Sequence, residues 1–515
     1  MSEIIKSIII VGGGTAGWLT AGIIAARHQS RINNSDLTIT LVESANIPSV
    51  GVGEGTWPTM PNTLRIMGIS ETEFFRQCQV SFKQGSKFVN WDNESQDNFY
   101  YHPFDVPEGA LTGDSASYWL NENEQNSLAQ TLTSQEAICE AGLAPKTISS
   151  PEYAGYTNYG YHLDAVKFAE FLQKHCVNQL GVRHILADVH QVKLTNSQSI
   201  ESIILADESN LEADFFIDCS GFKSLLIGEA LGVKFNEVGD TLFADTALAV
   251  QVPYTDNTSI ASYTQSTAQS AGWIWDIGLP SRRGVGYVYA SQYISRDEAQ
   301  AELVQYLKAS GDYTETLSIR EIKFKSGHRE KFFHKNCVAI GLSAGFLEPL
   351  EASALVMVEL SATMIAEQLP ATKSTLPIVA KRFNDIFDYR WQRTIEFLKL
   401  HYLVSNRTTP FWLDNKKTES VPSRLQEQMT LWQFNPPTQL DFNRLGEVFQ
   451  APSYQFVLYG SQFRTQSLFP LDPIIKNRVI NSIHQTNLRT EQLLTTLPTN
   501  RDLIEQIYSY GMKNI

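Results

Sequence analysis

Residues 7–26 read SIIIVGGGTAGWLTAGIIAA and contain no charged side chain. The first five of them, Ser7–Val11, form a β-branched run that is typical of a buried parallel strand. Glycines follow, and the residues after Gly17 place apolar side chains at helical spacing. The stretch therefore predicts a strand, a glycine turn and a helix in direct succession.

The glycines of this stretch have the G-x-G-x-x-G spacing of a dinucleotide-binding turn. Gly12 permits the tight turn, Gly14 lets backbone amides approach a pyrophosphate, and Gly17 lets the helix pack closely on the strand. The N-terminus of the helix would favour the phosphate charge. A membrane span or signal peptide is the alternative, but each glycine costs a helix about 1 kcal/mol, and no small-residue cleavage site precedes Arg27.

A second strand is predicted at residues 37–42, and it ends at Glu43. An acid at the end of the second strand is where a dinucleotide fold binds the adenosine ribose. The polar insertion at 27–36 explains why Glu43 is further from Gly12 than the usual ~20 residues. A solvated strand-end carboxylate is the alternative, and a ribose partner alone does not separate NAD from FAD.

Two later segments, 211–221 (LEADFFIDCSG) and 337–341 (CVAIG), also run from a buried strand into small residues. Strand ends so far apart in sequence indicate one long ligand, and FAD is longer than NAD. The glycine-rich loop at 47–56 would suit a strap of backbone laid against a flat ligand. A second G-x-G-x-x-G motif for a nicotinamide nucleotide is missing from the sequence, so electrons would come from a separate reductase.

The composition narrows the class of protein. The 515 residues carry a net charge of −14 and include no basic block, so we do not expect nucleic acid as a partner. Apart from residues 7–26, no predominantly apolar stretch reaches the ~18 residues that cross a bilayer, so we expect no membrane span. Scattered cysteines without C-x-x-C spacing favour reduced thiols in the cytoplasm and argue against a metal site.

From residue 397 onward, prolines interrupt an aromatic-rich sequence, and a last helix is predicted from about Arg501. We interpret 397–515 as a mostly helical region that caps and completes an apolar substrate pocket. Core packing is the alternative for most of its aromatic residues. Residues 1–396 would then form an α/β FAD-binding domain with a substrate-facing insertion at about 80–150.

Several runs of residues together resemble the flavin-dependent tryptophan halogenases. They are GVGEGT at 51–56, FKQGSKFVNW at 82–91, WIWDI at 273–277 and FLEPLE at 346–351. The resemblance runs nearly end to end, and the W-x-W-x-I run separates this family from flavin hydroxylases of similar fold. Here the run continues Gly278-Leu279-Pro280 instead of placing proline directly after isoleucine. The resemblance implies a Rossmann-like fold of the flavin monooxygenase, hydroxybenzoate-hydroxylase type.

The resemblance also implies an activity. Such an enzyme takes reduced FAD from a separate flavin reductase and uses O2 with chloride or bromide to make hypohalous acid. A lysine matching Lys83 meets this acid, either as a haloamine or by hydrogen bonding, and Lys87 is its rival by position. A glutamate matching Glu351 polarises the oxidant or takes the proton from the ring. Glu351 could equally be an N-terminal carboxylate of the helix predicted near Ala354.

Further positions carry over from the family by resemblance alone. Backbone amides of Ser353 and Ala354 would bind the halide, and alanine lacks the freedom at positive φ that the family's glycine has at the second position. The flavin contacts implied in this way, in addition to the glycine turn and Glu43, are Thr15, Ala16, Ser44, Glu54, Val189, Leu342 and Leu355.

The substrate positions depart from the family pattern. His102 and Phe104 match residues that sandwich an indole ring, and Phe449 takes the place of a clamp tryptophan. A hydrogen-bonded structural histidine is the alternative for His102. Arg444 stands where enzymes acting on free tryptophan carry a glutamate for the substrate ammonium. A basic group cannot bind that ammonium, so we expect an indole, another electron-rich aromatic, or a larger tryptophan-containing substrate.

Two other functions stay open at this point. A flavin-dependent aromatic hydroxylase of the same fold would need neither Lys83 nor a halide. A non-catalytic flavin-binding homologue would bind FAD without halide-dependent turnover. The sequence also leaves open whether the enzyme is a homodimer.

Overall fold

The computed structural model describes residues 3–46, 53–93, 98–122, 125–254, 258–311, 314, 316–442, 444, 446–466 and 470–513. The strands, in chain order, are β1 Ser7–Val11, β2 Thr38–Glu43, β3 Glu54–Gly55, β4 Ser81–Lys83, β5 Gly85–Val89, β6 Phe99–Pro103, β7 Gly160–Leu163, β8 Arg183–Leu186, β9 Val189–Leu194, β10 Ile200–Leu205, β11 Asn210–Glu212, β12 Phe215–Asp218, β13 Phe235–Glu237, β14 Thr246–Pro253, β15 Thr264–Gln269, β16 Gly272–Gly278, β17 Arg282–Tyr289, β18 Arg320–Lys323, β19 Gly327–Arg329, β20 Phe333–His334, β21 Cys337–Ala339 and β22 Gly345–Phe346.

The α-helices are α1 Thr15–Arg27, α2 Gln29–Asn33, α3 Thr59–Ile66, α4 Glu71–Cys78, α5 Asp114–Glu122, α6 Leu128–Leu132, α7 Gln135–Glu140, α8 Ala165–Asn178, α9 Arg296–Ala309, α10 Ser353–Glu367, α11 Leu376–Leu403, α12 Pro410–Asp414, α13 Ser423–Trp432, α14 Ala451–Gly460, α15 Pro473–Thr496 and α16 Asn500–Tyr510. None of the described helices is long and apolar enough to cross a membrane.

The chain divides into two compact units. Unit 1 comprises Met1–Gln79, Leu163–Val238 and Lys325–Trp391, and unit 2 comprises Val80–His162, Gly239–Phe324 and Gln392–Ile515. The predicted boundary after residue 396 falls inside helix α11. The division into domains 1–396 and 397–515 stays a prediction, and these units group the C-terminal region with two earlier segments instead.

Unit 1 is built on a largely parallel sheet with the strand order β20-β21-β12-β1-β2-β8. Strand β1 pairs in parallel with both β2 and β12, so Ile9 lies between Thr40 and Phe216. A strand with neighbours on both sides and helices over the sheet is apolar throughout, which explains the continuous run that opens the fold. Helix α1 packs against α8 and α10. This arrangement confirms the Rossmann-like prediction.

Unit 2 is built on a sheet with the order β18-β14-β17-β16-β15-β5-β6. Its neighbouring strands are antiparallel except for β15 and β5, which run parallel. Trp275 of β16 lies opposite Gly286 of β17, where a Cβ would stand 2.1 Å from the indole ring. The glycine therefore makes the space that the large side chain fills.

The C-terminal part of unit 2 is mostly helical, as predicted, and contains α12 to α16. The last helix begins at Asn500, one residue before the predicted start, because the Thr499 hydroxyl caps it by accepting a hydrogen bond from Asp502 N. The five cysteines are buried, and none of them is joined in a disulfide.

Candidate functional site

The glycine turn of unit 1 is defined by backbone contacts that exclude side chains. Gly12 has φ +118°, and a Cβ there would lie 2.1 Å from the carbonyl oxygen of Cys219. A Cβ at Gly17 would lie 1.9 Å from the carbonyl oxygen of Gly12. The first glycine thus permits the turn and the last permits close approach of helix to strand, as the spacing predicts.

The beginning of helix α1 is open to a ligand. Gly14 occupies the N-cap position without a side-chain cap, and a Cβ built on it meets no described atom within 4 Å. The first amides of a helix lack intrahelical partners and point along the positive end of the helix dipole. A phosphate group would satisfy both features.

The carboxylate of Glu43 rests against this turn. A Cβ at Gly13 would lie 2.1 Å from Cδ of Glu43, so only glycine leaves room for the acid. Oε2 of Glu43 also lies 3.1 Å from Nε2 of His184 on the neighbouring strand β8. The contact of His184 with Glu43 could not be predicted from the sequence, because a single histidine after a helix belongs to no recognisable motif. The carboxylate of Glu43 therefore lies against the turn, at the position where a ribose diol would bind.

The other positions implied as flavin contacts lie in the same unit. A Cβ at Gly341 would lie 2.7 Å from Cβ of Ala16, which places the turn containing Leu342 beside the start of α1. Leu355 lies in α10, which packs on α1. The remaining positions in described parts of unit 1 are Thr15, Ser44, Glu54 and Val189. The predicted strap at 47–56 lies outside the described residues up to residue 52.

Glu54 has the properties of a ligand-facing acid. Burial raises the pKa of its carboxyl to about 7. Its Oε2 is buried and meets no hydrogen-bond partner in the described part of the chain. A buried polar atom without a partner is costly, and a bound group that donates a hydrogen bond would satisfy it. The glycine turn, the open helix start and this acid therefore fit FAD.

The segment before α10 has an unusual backbone. Glu351 and Ala352 adopt left-handed conformations with φ 65° and φ 54°. The Glu351 side chain is only 6% exposed, and its carbonyl oxygen accepts a hydrogen bond of 2.8 Å from Nε1 of Trp57. Left-handed conformations cost non-glycine residues about 1–3 kcal/mol each. Strain of this size is common at functional sites.

The predicted halide amides lie at the start of α10. Ser353 is its first residue and Ala354 its second, and Ala354 is not among the residues with positive φ. Ala354 therefore does not adopt the positive φ for which alanine is unsuited: the positive φ values occur at Glu351 and Ala352. The amides of Ser353 and Ala354 belong to the first turn, which is a favourable place for an anion.

Lys83 ends strand β4 in unit 2 and is 1% exposed. Its Nζ lies 5.3 Å from the centroid of the Phe104 ring. Phe104 is held near the strand because its amide donates a hydrogen bond of 3.2 Å to the carbonyl oxygen of Gln84. A cation is attracted to the face of an aromatic ring. The structure thus brings the predicted lysine and one predicted substrate residue together.

Lys87, the rival lysine, has a different environment. Its Nζ lies 2.6 Å from Oε1 of Glu140 and 4.0 Å from the centroid of the Phe99 ring. The hydroxyl of Tyr101 donates a second hydrogen bond to the same Glu140 oxygen at 2.5 Å. An amine neutralised by an acid and enclosed by rings is a structural element. This geometry favours Lys83 as the functional lysine.

The predicted substrate residues His102 and Phe449 are joined through a third ring. Phe397 stacks on Phe449 with centroids 3.9 Å apart and meets His102 at 5.8 Å. The sequence marked Phe397 only as the last residue before a change in composition. Arg444 is exposed. The role of His102, Phe104 and Phe449 in holding an aromatic substrate stays a prediction.

Comparisons with known proteins agree with this geometry. The tryptophan halogenase family model matches residues 7–475. The chain belongs to the tryptophan halogenase family. A solved tryptophan halogenase from Shewanella frigidimarina is 44% identical with a TM-score of 0.96, covering 99% of each chain. The tryptophan 6-halogenase SttH of Streptomyces toxytricini is 30% identical over 96% of each chain, and the tryptophan 7-halogenase RebH of Lentzea aerocolonigenes is 30% identical over 98% of this chain and 99% of its own.

The protein is therefore a flavin-dependent halogenase, as the resemblance implied. Membership of this family implies FAD as cofactor and a halide as co-substrate. Sequence reasoning found the nucleotide turn and named Lys83 and Glu351 as the candidate catalytic residues of this halogenase. It missed Trp57, His184 and Phe397, because isolated tryptophan, histidine or phenylalanine residues in apolar sequence have no signal of their own.

Proposed function

We propose that this halogenase uses reduced FAD, O2 and chloride or bromide to halogenate an indole, or another electron-rich aromatic, that lacks tryptophan's charged amino acid group. The observation that carries the proposal is the buried Lys83 ammonium beside the Phe104 ring. The substrate class is supported by Arg444, an exposed cation at the position where the family's tryptophan enzymes carry an acid.

FAD would be held by the glycine turn, Glu43 and Glu54 of unit 1. When bound in its reduced form, the cofactor would supply with O2 the oxidising power that converts a halide to hypohalous acid. The amides of Ser353 and Ala354 would hold the halide, because they are unpaired by the helix and lie at its positive end. This assignment needs no cationic side chain at the halide.

Lys83 would orient the hypohalous acid toward the substrate. Its ammonium has three donors on a stem fixed by burial in a paired strand. A hydrogen bond from the ammonium to the oxygen of the acid makes the halogen more electrophilic. As the ring carbon attacks the halogen, the carbon–halogen bond forms, the halogen–oxygen bond breaks, and the oxygen leaves as water with the ammonium proton.

Glu351 would act as the base of the reaction. Halogen addition leaves a positively charged ring that must lose the proton from the substituted carbon. A carboxylate that is 6% exposed is poorly solvated, which strengthens its interaction with a nearby positive charge. The left-handed turn holds this side chain against the preference of an ordinary backbone.

A separate NAD(P)H-dependent flavin reductase would supply the reduced FAD, since the sequence carries one dinucleotide fingerprint only. Free buried thiols fit a cytoplasmic enzyme. Both assignments belong to the proposal.

A competition experiment tests the substrate class. The purified protein is mixed with a flavin reductase, NADH, O2, bromide and equal amounts of indole and tryptophan, and products are quantified by mass spectrometry. We expect bromoindole in excess. An excess of bromotryptophan would overturn the substrate class, and products that gain oxygen instead of bromine would overturn halogenation.

A matched variant sharpens the same experiment. Arg444→Glu places an acid at the position where the family binds the substrate ammonium, so it is expected to raise the share of tryptophan product. Lys417→Glu, a comparable exposed charge reversal on the same unit, serves as the control. If both variants gave the same ratio of bromotryptophan to bromoindole, Arg444 would not determine the choice of substrate.

A further inference from the structure

Lys83 and His162 lie on the same face of a strand pair in unit 2. Strands β4 and β7 are antiparallel, with Ser81 opposite His162 and Lys83 opposite Gly160. Directly opposed residues share a face of the sheet, and side chains two residues apart along a strand do so as well. His162 is therefore the diagonal neighbour of Lys83, and Gly160 leaves the space across from the lysine without a side chain.

Both residues are buried. Lys83 is 1% exposed and His162 is 0% exposed. Phe82, between Ser81 and Lys83, points to the other face, where it meets Tyr159 and Tyr161 at centroid distances of 5.2 and 6.3 Å. The alternation of the strand therefore separates an aromatic face from the face that carries the lysine and the histidine.

The two ring nitrogens of His162 have unlike surroundings. Nε2 lies 2.8 Å from Oγ1 of Thr264, the first residue of β15. Nδ1 is buried and has no hydrogen-bond partner within the residues that the structure describes. A buried ring nitrogen without a partner is costly. When Nε2 carries the hydrogen and donates it to Thr264, Nδ1 is a free acceptor.

His162 stays neutral next to the lysine. Burial in the first place, and the charge of Lys83 in the second, hold the pKa of His162 well below its ordinary value. A neutral imidazole does not compete with the lysine for a proton, and it offers a lone pair instead.

We propose that His162 is a positioning residue for Lys83: when the Lys83 side chain turns toward the unpaired Nδ1 of His162, its ammonium donates a hydrogen bond to that nitrogen, while Nε2–H of the histidine is anchored on Thr264. The inference rests on the proposed function of Lys83. The hydrogen bond fixes the end of a flexible four-carbon stem, so that the remaining donors of the ammonium are presented to the hypohalous acid. Without it, oxidant forms but is passed on to the substrate less often.

The first test compares two substitutions of the same histidine. Asparagine can place an amide oxygen near the position of Nδ1, whereas leucine fills similar space with no acceptor. The quantity measured is brominated product per reduced FAD consumed. We expect His162→Leu to lose about tenfold or more in this ratio, and His162→Asn to keep most of it. Equal ratios in the two variants would overturn the proposal.

Thr264→Val gives a second variant that leaves the histidine in place. Removing the hydroxyl loosens the ring and its tautomer, so we expect an intermediate fall in product per reduced FAD. If His162→Leu does not fold, this variant decides the question, and an unchanged ratio overturns the proposal. Folding is checked by thermal unfolding, and FAD affinity is measured in each variant.

A spectroscopic test needs neither FAD nor turnover. In protein labelled with nitrogen-15 at histidine, the His162 signals are assigned by their loss in His162→Asn. We expect a neutral ring protonated at Nε2, with an Nδ1 signal that moves in Lys83→Met. A proton on Nδ1, or an Nδ1 signal that is indifferent to Lys83→Met, would overturn the proposal.

The outcomes separate this inference from the function on which it rests. If wild-type protein gives no brominated product, or if Lys83→Ala gives as much as wild type, the role of Lys83 fails. If Lys83→Ala loses product while the histidine and threonine variants keep the wild-type ratio, only the role of His162 fails.

Discussion

The two candidate catalytic residues are held by opposite kinds of backbone. Glu351 of unit 1 stands in a left-handed turn, next to a second left-handed residue, directly before helix α10. Lys83 of unit 2 stands in a regular antiparallel pair whose register fixes the face of every side chain. The position of the Glu351 carboxylate depends on a strained backbone that the surrounding residues maintain. The position of the Lys83 amine depends on ordinary strand pairing.

The difference teaches where each residue is vulnerable. A change near Glu351 can relax the turn without removing the carboxylate, because the left-handed conformations are costly. At Lys83 the pairing with β7 is made by the main chain, so a side-chain substitution is expected to act mainly through the contacts of the side chain. Substitutions of the two residues and of their supports should therefore differ in kind as well as in size.

The largest effect is expected for Lys83→Ala. Loss of the ammonium should lower the rate of halogenation by about a thousandfold, a typical contribution of a positioned proton donor. Lys87→Ala is the matched control, four residues away on β5, and should keep most of the activity since Lys87 is paired with Glu140. The measurement is product formation at saturating halide and substrate. Comparable losses in both variants would break the distinction between the two lysines.

Glu351→Gln should have the next largest effect. The amide fits the same turn but cannot take a proton from the ring, so we expect a rate lower by about a hundredfold. Binding of FAD should be unchanged. Replacing protium by deuterium at the reacting ring carbon gives the decisive check: the variant is expected to show an isotope effect that wild type lacks. A wild-type rate in Glu351→Gln would remove Glu351 from the chemistry.

A pH effect on stability is expected from Glu359, which anchors α10 behind the strained turn. Its carboxylate accepts hydrogen bonds from Thr59 at 3.0 Å and from Thr63 at 2.6 Å. Burial raises the pKa of Glu359 from 4.5 to about 7. The folded protein therefore holds the proton of Glu359 more tightly than the unfolded chain does. The contribution of protonated Glu359 to the free energy of unfolding is complete below pH 4.5 and is lost as the pH rises through about 7.

The variant Glu359→Gln removes this titration. Between acidic and mildly alkaline pH, the free energy of unfolding of wild type should fall relative to the variant by about 3 kcal/mol. Denaturant unfolding across this pH range measures the difference. Parallel pH profiles for the two proteins would show that Glu359 is ionised in the folded state at neutral pH.

The smallest effects are expected at the turn itself. Ala352→Gly should stabilise the protein by about 1 kcal/mol or less, because glycine relieves the left-handed strain but gains freedom in the unfolded chain. Ala354→Gly, inside the first turn of α10, should instead destabilise it by up to about 1 kcal/mol. The opposite signs, read from unfolding midpoints, test whether the strain lies at Ala352. If both substitutions changed the unfolding midpoint in the same direction, the strain would not lie at Ala352.

The sequence predicted the elements that rest on local patterns. The strand, glycine turn and helix at residues 7–26 follow from glycine spacing, and the mostly helical C-terminal region follows from its composition and prolines. The left-handed turn at Glu351 and Ala352 could not be predicted, because neither residue is one that prefers this conformation. Surrounding packing imposes it, and a single sequence does not display that packing.

The candidate site shows the same division. Lys83 and Glu351 were named through family resemblance, and the structure supplies the environments that separate Lys83 from Lys87. His162 and Phe397 could not be recognised, since their roles depend on strand register and on a ring contact with a residue distant in sequence. Register is a property of two strands, and one strand alone does not reveal it.

The most direct test of the account is the mass of the product formed from indole with bromide, O2, NADH and a flavin reductase. Wild type and Lys87→Ala are expected to give a product with the bromine isotope pair, and Lys83→Ala is expected to give about a thousandfold less of it while still consuming reduced FAD. A product that gains oxygen, or a brominated product formed equally by all three proteins, would contradict the account.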